Sequence, residues 1–142
     1  MVYKIEISID VIVHATEDTS KIFQSFEDTL DVRREDFTIE ETEGHYENPI
    51  TLLKAKIGKK QAQNFMNKLL ESLSKEQVNE LIDEIEERTI DSRFHMRLDK
   101  QELIKGNLAV REKDTIQLKI HTPIYNKKDT IKTFTEIFQI AN

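Results

Sequence analysis

The fold of this chain is decided near its beginning, where residues 3–14 read YKIEISIDVIVH. Every second residue from Tyr3 to Val13 is apolar, and the residues between them are polar except Ile12. A period of two is typical of a strand that buries one face and leaves the other in water. The segment therefore predicts a long strand in a sheet whose second face is open.

The other elements follow from apolar spacing and capping residues. Thr16, followed by Glu17 and Asp18, is predicted to cap a first helix. Ser74 and Gln77 predict a capping box between two consecutive helices. Further strands are expected near 37–40, 50–57, 93–98 and 116–121, and helical apolar stripes near 22–30, 62–73, 78–85 and 131–138.

This order of elements predicts an α+β fold, a two-layer sandwich with a mostly antiparallel sheet of about five strands and helices on one face. A length of 142 residues fits one domain. We expect that domain to span residues 1–124, with residues 125–142 as a C-terminal amphipathic helical tail.

Composition excludes several kinds of site. The chain has no cysteine, which rules out disulfides and thiolate chemistry and fits a reducing cytoplasm. The first apolar stretch is interrupted by Lys4, Glu6 and Asp10, so neither a signal peptide nor a membrane span is expected there. A cytoplasmic protein without membrane contact is the prediction.

Charge is distributed unevenly along the chain. The net charge of −6 argues against a generic nucleic-acid binder. Residues 1–92 hold 11 basic and 21 acidic side chains, whereas residues 93–142 hold 10 basic and 6 acidic ones. An acidic protein with a local basic surface is therefore expected.

That basic surface is predicted on the open face of the sheet. If helices cover the apolar sides of the strands, the cations on the polar sides share the other face: Lys54, Lys56, Arg93, Arg97 and Lys119, with His95 and His121. Such groups suit phosphate contacts. An ordinary solvated face and a self-association surface over Ile50 and Leu52 remain alternatives. The face lacks aromatic side chains, so base stacking on the sheet is not expected and structured RNA fits better.

Three polar islands interrupt these elements. His14–Asp18 is best explained as a helix cap. Residues 43–50 contain a turn at Gly44 to Asn48, which is best explained as a hairpin turn and in which His45, Tyr46 and Asn48 are candidates for touching bases or a small ligand. Residues 97–101 leave the fourth strand, and Arg97 either pairs with Asp99 or contacts RNA. No island contains a catalytic signature, and the four histidines have no ligand spacing, so no enzyme, cofactor or metal site is expected.

Together the runs HATED (His14–Asp18), EGHYENPI (Glu43–Ile50) and RLDKQ (Arg97–Gln101) resemble a family of small archaeal RNA-binding proteins, described also as predicted exosome-associated subunits. The resemblance covers residues 5–122. It implies an α+β fold similar to the ribosomal protein that binds the smallest ribosomal RNA, and a role in RNA processing, the exosome or the ribosome. Glu47 departs from the glycine expected there, and the segment from Pro123 onward lies outside the resemblance.

These observations predict a non-catalytic protein that binds structured RNA through the basic sheet face. Exosome or ribosomal proteins are expected as partners. The alternative is a protein-interaction module or homodimer that uses the same face or the C-terminal helix. The predicted RNA-binding residues are Arg93, Arg97, Lys54, Lys56, Lys119, Lys100, Tyr46, His45 and Asn48.

Overall fold

A six-stranded sheet runs through the part of the chain that the computed structural model describes, residues 3–43, 49–112 and 115–140. The strands are β1 (Glu6–His14), β2 (Phe37–Glu43), β3 (Pro49–Gly58), β4 (Thr89–Ile90), β5 (Arg93–Asp99) and β6 (Thr115–His121). The helices are α1 (Thr19–Leu30), α2 (Lys59–Ser72), α3 (Lys75–Asp83), α4 (Ile85–Arg88), α5 (Lys100–Ile104) and α6 (Thr130–Ile140). Short 3₁₀ turns lie at Arg34–Asp36 and Lys127–Asp129.

The strands follow the order β2-β3-β1-β6-β5-β4, and each neighbouring pair is antiparallel. The predicted long first strand is β1, which lies inside the sheet between β3 and β6. This confirms the α+β class with an antiparallel sheet. The sequence predicted about five strands because β4 has only two residues, too few to show a period of two.

The core lies between the sheet and the helices. Strand residues on one face, such as Ile7, Ile9, Leu118 and Phe94, are buried together with the apolar stripes of the helices. The ring of Phe138 on α6 meets that of Phe94 edge to face, with 4.8 Å between the centroids. The apolar side of α6 therefore belongs to the same core as the strands.

The helix caps show where local patterns predict structure and where they do not. The capping box is confirmed, because the backbone nitrogen of Gln77 donates to Oγ of Ser74 at 3.1 Å and the Gln77 side chain accepts in return from the Ser74 backbone nitrogen. The predicted cap at Thr16 is wrong. Asp18 caps α1 instead, accepting a 2.9 Å hydrogen bond from the backbone nitrogen of Ser20. The Glu17 backbone nitrogen donates to His14 O, so the chain is still turning at Thr16.

Candidate nucleic-acid interface

The strand register brings the predicted cations together on the open face. Lys54 on β3 lies beside Asp10 on β1, Asp10 beside Gln117 on β6, and Gln117 beside Arg97 on β5. The next row contains Lys56, Ser8, Lys119 and His95 in the same strand order. Because neighbouring strands lie about 4.8 Å apart, each row spans roughly 14 Å.

Positive charge is concentrated on the β5–β6 half of this face. From Arg93 to Arg97 and from Gln117 to His121, the residues of that face are cationic, imidazole or amide groups. Directly opposite pairs are Arg93 with His121 and His95 with Lys119. We call Arg93, His95, Arg97, Lys119 and His121 the basic cluster.

The β1–β3 half of the face is electrostatically balanced. Nζ of Lys56 lies 3.7 Å from Oε2 of Glu6, and Asp10 lies beside Lys54. Both partners of the Lys56–Glu6 pair are well exposed, so the pair is screened and weak. Lys54 and Lys56 therefore remain within reach of a polyanion, but their charges are partly offset.

Burial and the positive charges of the basic cluster act in the same direction on the pKa of His95. It is lowered from its usual value of 6.5, first by burial and then by the charges of Lys119, Arg93 and Arg97. Each of these effects disfavours the imidazolium form. The same potential that discourages a proton on His95 attracts a phosphate group.

The position of Lys100 corrects one predicted RNA contact. Its side chain is only 1 % exposed. Its Nζ donates 2.8 Å hydrogen bonds to Oε1 of Glu17 and to the backbone oxygen of Ile12. An ammonium group held inside the protein does not reach a ligand on the surface, so Lys100 acts in the structure and not in the interface.

Of the two alternatives predicted for Arg97, the pairing with Asp99 is not the one that the structure contains, because Asp99 has another partner. Its Oδ2 accepts a 2.7 Å hydrogen bond from Arg111, and its Oδ1 caps α5 at the backbone nitrogen of Glu102. The hydrogen bond from Arg111 and the one from the Glu102 backbone lower the pKa of Asp99. Asp99 therefore pairs with Arg111, and Arg97 stays exposed at the surface of the basic cluster.

The first and third islands meet in space. Besides binding Lys100, Glu17 accepts a 3.2 Å hydrogen bond from Nε2 of Gln101 and a 2.9 Å one from the backbone nitrogen of His14. These contacts tie the end of β1 and the start of α1 to the start of α5. Residues 44–48 of the second island lie outside the described residues, so the roles of His45, Tyr46 and Asn48 stay predictions.

One exposed aromatic residue in the segment after β6 was missed by the sequence interpretation. Tyr125 follows β6 and is 98 % exposed. Lys127 and Lys128 follow after Asn126 and are also exposed. The signal was an aromatic residue close to two lysines in sequence, but the segment lies outside the recognised motifs.

The described residues contain neither a candidate metal site nor a candidate membrane-spanning helix. Among these residues, no group of three His, Cys, Asp or Glu side chains is arranged to hold a metal ion. None of the helices described there has the length and apolar character needed to cross a membrane.

The fold and the face define a class: an α+β protein with helices on one side of an antiparallel sheet and a basic cluster on the other. The family model described as "RNA binding" matches residues 6–122. The chain belongs to this RNA-binding family.

Similar proteins come from archaea, as the resemblance implied. RNA-binding protein PAB1135 of Pyrococcus abyssi is 31% identical over 129 residues, which cover 86% of this chain and 84% of that protein. Uncharacterized protein MJ0213 of Methanocaldococcus jannaschii is 29% identical over 137 residues, 89% of this chain and 91% of that protein. Among solved structures, protein AF2318 of Archaeoglobus fulgidus matches with a TM-score of 0.80 and 24% identity, over 94% of this chain and 99% of that one. This last likeness supports the fold.

Proposed function

We propose that this protein binds structured RNA without catalysing a reaction on it, and that the basic cluster is the centre of the interface. Arg93, Arg97 and Lys119 contact phosphates, and Lys54 and Lys56 extend the contact across the sheet. The observation that carries the proposal is the strand register, which sets Arg93, Arg97 and Lys119 close together on one face of β5 and β6 although the protein as a whole is acidic.

The shape of the face favours a helical stretch of RNA over an extended single strand. The cations stand on neighbouring strands of a sheet, and the described outward positions of those strands hold no aromatic ring on which successive bases could stack. Double-stranded RNA is recognised through phosphates, 2′-hydroxyls and shape, which cationic side chains on a broad surface can contact.

The test is the affinity for an RNA hairpin measured by fluorescence anisotropy between about 50 mM and 200 mM salt. Each lost phosphate contact is expected to reduce by about one the slope of the logarithm of the binding constant against the logarithm of the salt concentration. Arg93→Glu and Arg97→Glu should each weaken binding about tenfold or more, since each replaces an attraction with a repulsion. Lys75→Glu on α3 carries the same charge change in the helix layer and should bind like the wild type.

Two results contradict the proposal. One is a wild-type protein that does not bind the hairpin at low salt. The other is wild-type affinity in both arginine variants.

The resemblance extends the proposal to assemblies that process or contain RNA, with exosome or ribosomal proteins as partners. Tagged protein purified from its own cells should then carry such proteins. Partners lost after ribonuclease treatment are joined through RNA, and partners retained contact the protein directly. Purification of the protein alone contradicts this extension.

Self-association is a second candidate, favoured by an apolar region at the other end of the open face. Ile12 is 49 % exposed and lies beside Leu52, with Ile50 at the next position outward on β3. Light scattering of Ile12→Lys against the wild type tests it, and a dimer lost in the variant supports the candidate. Deleting residues 127–142 is unsuitable as a test, because it removes Phe134 and Phe138 from the core.

A further inference from the structure

A surface cavity of about 560 Å³ lies at the β4 edge of the sheet, between that strand and the start of α6. Its apolar walls include Ile90, Ile124 and Ile131. Ile90 is 61 % exposed and Ile131 is 50 % exposed. Apolar side chains gathered around a cavity of this size are typical of a place where a small group binds.

This cavity is continuous with the basic cluster. Ile90 stands directly opposite Arg93 in the β4–β5 register, so the two residues are neighbours at one end of the open face. The backbone nitrogen of Thr122 donates a 3.3 Å hydrogen bond to the backbone oxygen of Ser92. That bond holds the segment after β6 against the turn that precedes β5.

The segment after β6 contributes two residues to the cavity wall and also carries an exposed aromatic residue and a second lysine. Ile124 lines the cavity, and Tyr125 is the next residue along the chain, with almost its whole surface exposed to solvent. Lys127 lines the cavity as well, and Lys128 follows it. A solvated aromatic side chain next to lysines is the combination on which unpaired bases stack while their phosphates are neutralised.

We propose that this cavity receives one unpaired nucleotide of an RNA whose helical part lies on the basic cluster, with Tyr125 stacking on the base. The inference rests on the proposed function and names a feature of the RNA: an unpaired residue next to a paired stretch. RNA is favoured over an apolar protein segment because Lys127 lines the cavity and Arg93 adjoins it, and both suit a ligand that carries phosphate.

Glu86 and Asp91 also line the cavity. These carboxylates repel phosphate, so the phosphate of the unpaired nucleotide lies on the side of Lys127 and Arg93. A carboxylate accepts a hydrogen bond from an exocyclic amino group, as on cytosine. An unpaired cytidine is therefore the suitable probe.

The experiment compares two hairpins, one fully paired and one with a single unpaired cytidine beside the paired stretch. The wild type should bind the second hairpin more tightly, by at least about fivefold, the low end of what a stacked base contributes. Tyr125→Ala should remove this preference and leave binding of the fully paired hairpin unchanged. Tyr125→Phe keeps the ring and should keep the preference.

The outcomes separate this inference from the function on which it rests. A wild type that binds neither hairpin overturns the proposed function. Equal binding of both hairpins, or a preference that survives Tyr125→Ala, overturns the nucleotide site while Arg97→Glu still reports on the basic cluster. If Tyr125→Ala instead abolishes association with a protein and leaves RNA binding intact, the cavity is a protein contact and the inference is wrong.

Discussion

Nζ of Lys100 lies 2.8 Å from Oε1 of Glu17, although 83 residues separate the two in sequence. The lysine is buried and the carboxylate nearly so, and a backbone oxygen of β1 accepts a second hydrogen bond from the same ammonium. The pair joins two segments by which the family is recognised. Its role is to hold the end of β1, the start of α1 and the start of α5 together behind the open face.

Lys100→Met is expected to lower the free energy of unfolding by about 3 kcal/mol, because it leaves the Glu17 carboxylate without its buried cation. Denaturation by urea measures the change. Glu17→Gln should also lower the free energy of unfolding. The double variant should lose less stability than the sum of the two single variants, since it removes both charges together. Where Lys100→Met is folded, its affinity for an RNA hairpin should equal that of the wild type; a loss of affinity in fully folded protein would restore Lys100 to the interface.

RNA binding is expected to strengthen as the pH falls from about 7.5 to 5.5. The pKa of His95 is below 6.5 in the protein alone, and a bound phosphate raises it by favouring the imidazolium form. At a pH between the pKa of His95 in the free protein and its pKa in the complex, binding takes up a proton. A lower pH therefore favours the complex, by up to about tenfold for each unit by which the phosphate raises the pKa. His95→Asn should flatten the pH profile at constant salt, with His121→Asn as the comparison on the same cluster. An unchanged profile in His95→Asn contradicts the prediction.

The acid stability of the protein should depend on Asp99. Its pKa is lowered in the folded state, chiefly by the hydrogen bond from Arg111. The contribution of Asp99 to the free energy of unfolding is therefore fully present above its unfolded-state pKa near 3.8, and it is lost as the pH falls through its folded-state pKa. Asp99→Asn retains a capping side chain and loses the ion pair. It should cost about 0.5 to 1 kcal/mol at pH 7, since Arg111 is largely exposed, and the difference from the wild type should shrink towards pH 3. A difference in the free energy of unfolding between Asp99→Asn and the wild type that does not change with pH contradicts this explanation.

Thr89→Val is expected to leave the stability unchanged or to raise it by about 1 kcal/mol. Oγ1 of Thr89 is buried and has no hydrogen-bond partner within the described residues. Valine has nearly the same shape and keeps the branched side chain that suits β4. Thermal unfolding measures the effect, with Thr89→Ala as the control that removes packing as well. A clear loss of stability in Thr89→Val would show that the hydroxyl is bonded.

The sheet was predictable because its signal is local. The alternation in β1, β3, β5 and β6 follows from the geometry of a strand with one buried face, and a run of about four to eight residues is enough to show the pattern. β4 and α5 were missed, since two and five residues are too short for a period to be visible.

Part of the candidate interface was predictable for the same reason. Arg93, Arg97 and Lys119 alternate with buried residues, so their exposure follows from the strand period. Lys100 carries the same charge but lies one residue beyond β5, where the period no longer applies. Its burial depends on Glu17 and on the end of β1, which are distant in sequence.

By itself the sequence determined the α+β class, the polar and apolar faces of the long strands, and the capping box at Ser74. Only the tertiary structure decided which charges act together. Strand order places β5 beside β6 and gathers the basic cluster, and pairing of β1 with β3 offsets Lys54 and Lys56 with carboxylates. A backbone hydrogen bond from Thr122 to Ser92 holds the segment that leads to Tyr125 against the turn before β5. The physical reason is that burial of a strand face is a local property of the chain, whereas electrostatic potential depends on distances between residues far apart in sequence.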